Sequence, residues 1–84
     1  MKTLEVYTSP SCGPCRMIKP IIEKFDGETE DVTVTFINIA EDPDATTGKD
    51  ITVVPTLIVT EDGTEVKRHI GARLTVEDLT ELVN

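Results

Sequence analysis

The chain has 84 residues, room for one compact domain that buries only about 60% of its unfolded surface. Sixteen acidic against eight basic side chains give a net charge of −8, which opposes phosphate backbones and anionic lipid as partners, and no apolar run approaches the ~18 residues of a membrane span. Val, Ile and Leu recur along the whole length, which counts against disorder, and with no Trp, one Tyr and two Phe the core is expected to be aliphatic.

Residues 3–8 read as a strand, with Leu4 and Val6 alternating against Thr3, Glu5 and Tyr7. This start carries a Lys and a Glu and no apolar stretch with a small-residue cleavage site, so no signal peptide is expected and the location is expected to be cytoplasmic. A purely structural disulfide is out of place in that compartment. Ser9-Pro10-Ser11 breaks the strand. From Pro14 to about Phe25 the apolar residues Met17, Ile18, Ile21, Ile22 and Phe25 define one face of a helix; Pro20 kinks it without ending it, and Asp26-Gly27 closes it.

Residues 32–39 form a second, β-branched strand, and the polar residues 40–50 hold at most one short helix. Residues 53–60 read as a third strand interrupted near its start by Pro55. Asp62-Gly63 signals a tight hairpin into a fourth strand over residues 65–70. Residues 75–83 are a closing helix, with Thr75 and Asp78 at capping-box spacing and Val76, Leu79 and Leu82 facing inward. The order β-α-β, connector, β-β-α makes the first two strands parallel and the last two antiparallel, in a four-stranded mixed sheet flanked by helices: an α/β fold in a single domain over residues 1–84.

Cys12-Gly13-Pro14-Cys15 falls where the first strand turns into the first helix. A helix N-terminus presents unpaired amides and the positive end of the helix dipole, so a thiolate is stabilised there. Cys12, at the cap and on the open side, is the candidate nucleophile; Cys15, one turn later and more enclosed, is placed to attack the resulting mixed disulfide. Gly13 leaves room for a partner backbone, and Pro14 sets the first helical turn without needing an N–H donor. Arg16 and Lys19 read mainly as solvated charges. His69 reads as a solvated residue of the last strand rather than a general base.

A cytosolic CxxC beside a β-α-β pattern points to thiol–disulfide chemistry. Two other readings stand beside it. Two thiolates are half of a tetrahedral zinc site, but one chain with a single distant His cannot complete it, which leaves only a dimer-bridged site. An inert packed thiol pair is the other. At Val54-Pro55-Thr56, a Pro inside an apparently central strand fits a cis peptide whose flanking backbone groups face an extended substrate beside Cys12.

The run Cys12-Gly13-Pro14-Cys15-Arg16-Met17-Ile18-Lys19-Pro20 is very close to the active-site helix of the thioredoxin superfamily. Phe36-Ile37-Asn38-Ile39 resembles its second core strand, Val54-Pro55-Thr56-Leu57 its cis-proline strand, and Asp62-Gly63 and Gly71 match its final hairpin and the turn after it. The resemblance spans essentially the whole chain and implies a minimal thioredoxin fold of glutaredoxin length. It implies Cys12 and Cys15 as catalytic residues, Ser11, Gly13 and Pro14 as the active-site loop, and Val54, Pro55, Thr56 and Gly71 as substrate-binding. It implies no cofactor or metal beyond the Cys12–Cys15 disulfide, protein disulfides as substrates, a thioredoxin-reductase-type or glutathione-linked reductant, and a monomer.

Departures from the family pattern also carry meaning. The family's extra opening strand and helix are not seen here, and the Trp that usually precedes the first cysteine is Ser11. The buried Asp usually beneath the second cysteine falls on Val6, and its Lys partner on Phe36, so no carboxylate is expected to take the proton of Cys15 and the resolving step is expected to be slow. A glutaredoxin-like, glutathione-dependent activity is the second functional reading; Ile70-Gly71-Ala72-Arg73-Leu74 has one Gly and a basic residue where glutaredoxins resemble Gly-Gly with acids. A redox-domain scaffold that needs no turnover is a third.

Overall fold

The computed structural model describes residues 2–42, 44, 51 and 53–84. Along the chain run β1 (Lys2–Thr8), α1 (Gly13–Glu28), β2 (Val32–Asn38), β3 (Thr56–Glu61), β4 (Thr64–Ile70) and α2 (Val76–Val83). The sheet order is β2-β1-β3-β4. β1 and β2, joined through α1, are parallel; β3 pairs antiparallel with both β1 and β4. The mixed sheet read from the sequence is the observed one.

Alternation along β1 turns Leu4 and Val6 to one face, and the register sets them opposite Val59 and Leu57. Ile18, Ile22 and Phe25 of α1 and Leu79 and Val83 of α2 close over these four in one buried cluster, in which Phe25 is the single aromatic residue. The core is aliphatic, as the composition implies. Both described helices therefore share one face of the sheet, where the sequence reading left their sides open. On the opposite face Tyr7, Thr56 and Ile58 are buried, and the flanking strand positions Thr3, Glu5, Thr33, Thr35, Ile37, Thr60, Arg68 and Ile70 are all at least partly exposed.

α1 continues through Asp26-Gly27 to Glu28 and leaves the helical conformation only at Thr29. Gly27 weakens a helix by about 1 kcal/mol relative to Ala but does not forbid it. It is not in the positive-φ conformation of a terminating glycine. Pro20 lies inside the helix on its exposed side, where water can serve the carbonyl that its missing N–H leaves unpaired. Met17, assigned to the inward face by its apolar character, is 72% exposed. At 100° per residue it points about 120° away from the centre of the stripe formed by Cys15, Ile18, Ile22 and Phe25.

The third strand starts at Thr56, three residues later than its pattern suggests, because residues 53–55 form a bend and the Val54–Pro55 peptide bond is cis. The hairpin has positive φ at both Asp62 (53°) and Gly63 (87°), the combination that an Asp-Gly turn supplies. β4 begins one residue early, at Thr64, and a register shift between Val59 and Thr60 leaves Val66 without a cross-strand partner and half exposed. β2 stops at Asn38, although the Ile39 amide still donates to the Thr8 carbonyl at 2.9 Å. Of the connector 40–50, positions 43 and 45–50 lie outside the described residues, and with them the expectation of at most one short helix there.

Thr75 and Asp78 form the expected reciprocal capping box: the Asp78 amide donates to Thr75 Oγ1 at 3.2 Å, and the Thr75 amide donates to Asp78 Oδ2 at 2.8 Å. At the other end of α2, which has no basic residue in its last turn, Lys2 Nζ donates to the Val83 carbonyl and Lys67 Nζ to that of Glu81. Two cations from the sheet thus meet the negative end of the helix. Thr75→Ala is expected to cost about 1 kcal/mol, a fall of about 4–8 °C in Tm by thermal unfolding. An unchanged Tm would show that the box contributes nothing.

Candidate active site

β1 ends at Thr8, and the loop that follows is tied into a tight turn. The Cys12 amide donates to the Ser9 carbonyl at 3.1 Å, and the Ser9 and Ser11 hydroxyls lie 3.1 Å apart. This turn delivers Cys12 in an extended conformation (φ −88°, ψ 103°) as the N-cap of α1. Its sulfur takes the role usually played by a Ser or Asp oxygen: Cys12 Sγ accepts the Cys15 backbone amide at 3.1 Å. Cys12 and Cys15 are joined in a disulfide, with Cα atoms 5.3 Å apart.

Cys12 is 8% exposed and Cys15 5%, so the expectation of an open first cysteine over an enclosed second one is corrected: both are covered. The Val53–Pro55 bend lies against Cys12 and brings the Val54 carbonyl oxygen to 3.6 Å from its Sγ. In the dithiol form that oxygen can accept a Cys12 S–H; in the disulfide it has no such donor. Gly71, at φ 103°, donates its amide to the Pro55 carbonyl at 2.9 Å and so pins the end of β4 to the same bend. The structure thus gathers Cys12, Cys15, Val54, Pro55 and Gly71 at one end of the sheet. Ser11, Gly13 and Pro14 are exposed beside them, and a Cβ built on Gly13 would meet nothing within 4 Å, so this position is open to an approaching chain.

Thr56 points its side chain away from any approaching substrate, which leaves only its backbone for the expected pairing. It is 1% exposed, and its hydroxyl donates to the Val53 carbonyl at 2.6 Å. Thr56 therefore holds the bend from beneath. Thr56→Val is expected to lose about 1 kcal/mol by denaturant unfolding, and Thr56→Ser to keep most of it. Equal losses for both would assign the effect to packing instead of the hydroxyl.

Among the described residues no carboxylate lines the space beside Cys15. Val6 is fully buried in the apolar cluster, and Phe36, its register partner on β2, is 42% exposed. The sequence reading did not foresee what lies there, a groove of 350 Å³ bordered by Cys15, Thr8, Pro10, Arg16, Lys19 and Phe36. One signal for it was present: Lys19 stands four residues after Cys15, on the same side of the helix.

His69 is not solvated as expected. Register places it opposite Leu57, on the helix-bearing face, and its Nε2 is buried without a hydrogen-bond partner among the described residues. It borders a separate cavity with Lys67, Arg73, Asp78 and Glu81, none of which lines the groove beside Cys15. Among the described residues no three His, Cys, Asp or Glu side chains converge as a metal site, and no helix is long and apolar enough to cross a membrane.

The family model described as Thioredoxin matches residues 2–84. The chain belongs to the thioredoxin family. It is 42% identical over 73 residues to the thioredoxin of Chlamydia pneumoniae, a match covering 87% of this chain and 71% of that protein. It is 43% identical over 61 residues to the thioredoxin of Alicyclobacillus acidocaldarius, covering 71% of this chain but 58% of that one. Among solved structures it is similar to a point mutant of the thioredoxin from Halobacterium salinarum NRC-1, with a TM-score of 0.86, 28% identity and coverage of 98% of this chain and 71% of that chain. It is likewise similar to the oxidised mitochondrial thioredoxin 3 of Saccharomyces cerevisiae, with a TM-score of 0.84, 28% identity and coverage of 95% and 74%. A thioredoxin-family chain with its cysteine pair at this spacing is a thiol–disulfide oxidoreductase that reduces protein disulfides, and the glutaredoxin-like alternative is not favoured.

Proposed function

We propose that Cys12 is the nucleophile and Cys15 the resolving thiol of a protein-disulfide reductase contained in a single domain. The observation that carries this reading is the Cys15 amide donating to Cys12 Sγ at 3.1 Å at the mouth of a 16-residue helix. The same amide and the helix dipole favour the thiolate over the thiol once the disulfide is reduced.

The Cys12 thiolate attacks one sulfur of a client disulfide; a Cys12–client bond forms, the client disulfide breaks, and the departing client sulfur leaves as a thiolate. Cys15, having lost its proton to solvent, then attacks Cys12 Sγ. The Cys12–Cys15 bond forms, the Cys12–client bond breaks, and the second client thiolate is released. The client gains two electrons and two protons. The backbone of Val54 and the open side of Gly13 flank Cys12, where an extended client segment pairs with main-chain groups while Ser11 and Pro14 border its path. Pro55 and Gly71 hold that edge in place through their 2.9 Å hydrogen bond.

The cycle needs no bound metal or cofactor, because the electrons reside in the dithiol. A thioredoxin-reductase-type or glutathione-linked enzyme regenerates it, and the protein works as a cytoplasmic monomer, apart from membrane and nucleic acid. The net charge of −8 supports the last point. With Val6 and Phe36 where the family has its buried charge pair, the resolving step is expected to be slower than in full-length relatives. Mixing the reduced protein with a protein disulfide such as that of insulin tests the reading: stoichiometric transfer of two electrons is expected. No transfer, or activity that survives loss of both thiols, would overturn it.

A further inference from the structure

The groove beside Cys15 carries charge of one sign. Arg16 Nη2 donates to the Pro10 carbonyl at 3.3 Å, so its guanidinium is held against the loop wall. Lys19 Nζ stands 6.0 Å from the centroid of the Phe36 ring, over the wall supplied by β2. Among the described residues no acidic side chain lines the space between them. The contrast with the rest of the chain is what gives this meaning. Acids outnumber bases 16 to 8, and with Arg16 and Lys19 set aside the balance elsewhere is 16 to 6. An acidic group is repelled by most of this surface, whereas the described charges lining this groove, which adjoins the reacting disulfide, are cations alone.

We propose that this groove receives an acidic side chain of the client protein, one to three residues from the client cysteine that bonds Cys12. Cys15 borders the groove and its Cα lies 5.3 Å from that of Cys12, and an extended chain advances about 3.3 Å per residue, so the positions nearest the client cysteine are the ones that can reach the mouth of the groove. The guanidinium fork and the ammonium meet the carboxylate, while Phe36 and Pro10 cover its methylene groups. The inference rests on Cys12 being the sulfur attacked by and bonded to the client, and it adds a preference among clients to that reading.

Disulfide peptides identical except for Glu, Gln or Lys at the first, second or third residue from the reactive half-cystine test it. At one of these positions Glu is expected to lower KM about fivefold relative to Gln, and Lys to raise it, with kcat little changed and the difference shrinking at high ionic strength. Arg16→Glu with Lys19→Glu is expected to invert the order, and Arg16→Gln with Lys19→Gln, which adds no charge, to abolish it. Equal KM values for Glu, Gln and Lys at all three positions would overturn the subsite while leaving the dithiol mechanism intact. So would a preference that both double variants retain. Peptides that the unaltered protein reduces at no position would overturn the assignment of Cys12 itself, and the subsite with it.

Discussion

Cys15→Ser is expected to convert this protein from a catalyst into a trap, and Cys12→Ser to reduce its activity to that of the uncatalysed exchange. The two outcomes differ because the sulfurs occupy different places in the electrostatics of one helix end. Cys12 Sγ receives the Cys15 amide at 3.1 Å, so in the proposed mechanism it is the sulfur that bears the stabilised anion and opens the client disulfide. Serine at position 12 leaves no atom able to form the mixed disulfide. Serine at position 15 preserves the backbone amide that stabilises Cys12, so the first step proceeds and stops with the client covalently held. Mass spectrometry of the Cys15→Ser protein mixed with a protein disulfide should show an adduct of one client per chain, cleaved by added dithiol. Accumulation of that adduct on Cys15 in the Cys12→Ser protein instead would reverse the roles.

Ile22→Ala should produce a large loss of stability. Ile22 is fully buried in the cluster that joins both helices to the sheet. Alanine is the better helix former, so no loss of helix propensity contributes, and the change isolates lost burial plus the cavity left behind. The expected cost is about 2–5 kcal/mol, in a domain whose total is on the order of 5–15 kcal/mol. Met17→Ala on the same helix, at a residue 72% exposed, is expected to change stability by less than about 0.5 kcal/mol. Denaturant unfolding of the pair measures the contrast, and similar losses at both positions would show that the helix does not present the face described.

Much of this was legible in the sequence because local rules and tertiary packing agree. The strand–turn–helix position of Cys12, the parallel pair across α1, the Asp-Gly hairpin and the Thr75–Asp78 box each follow from residue types at fixed spacing, and each is found in place. The discrepancies arise where a local signal is weaker than its context. Gly27 reads as a stop, yet the helix passes through it to Glu28. Val53 and Val54 have strand-forming side chains, yet they lie in a bend held by the Thr56 hydroxyl, and the strand starts only at Thr56; the cis bond at Val54–Pro55 is where the sequence reading put it. Met17 is apolar, but its angular position decides its exposure.

The site divides along the same line. The dithiol is a sequence motif and was visible as one. The covering of Cys12 by the Val54 carbonyl, the inward turn of Thr56, the burial of His69 Nε2 and the cationic groove beside Cys15 depend on which residues meet across the sheet. Phe36 stands 21 positions after Cys15, and only the β1–β2 register brings it to the groove. Spacing along the chain carries no record of that meeting.

Alkylation of the reduced protein by iodoacetamide, followed as a function of pH, bears most directly on the claim that α1 holds Cys12 as an anion. The rate is expected to level off at a lower pH than that of free cysteine. Near neutral pH it should exceed the free-cysteine rate by about threefold, the larger thiolate fraction outweighing its lower intrinsic nucleophilicity. A rate–pH curve for Cys12 that coincides with free cysteine, or lies to its alkaline side, would contradict the account.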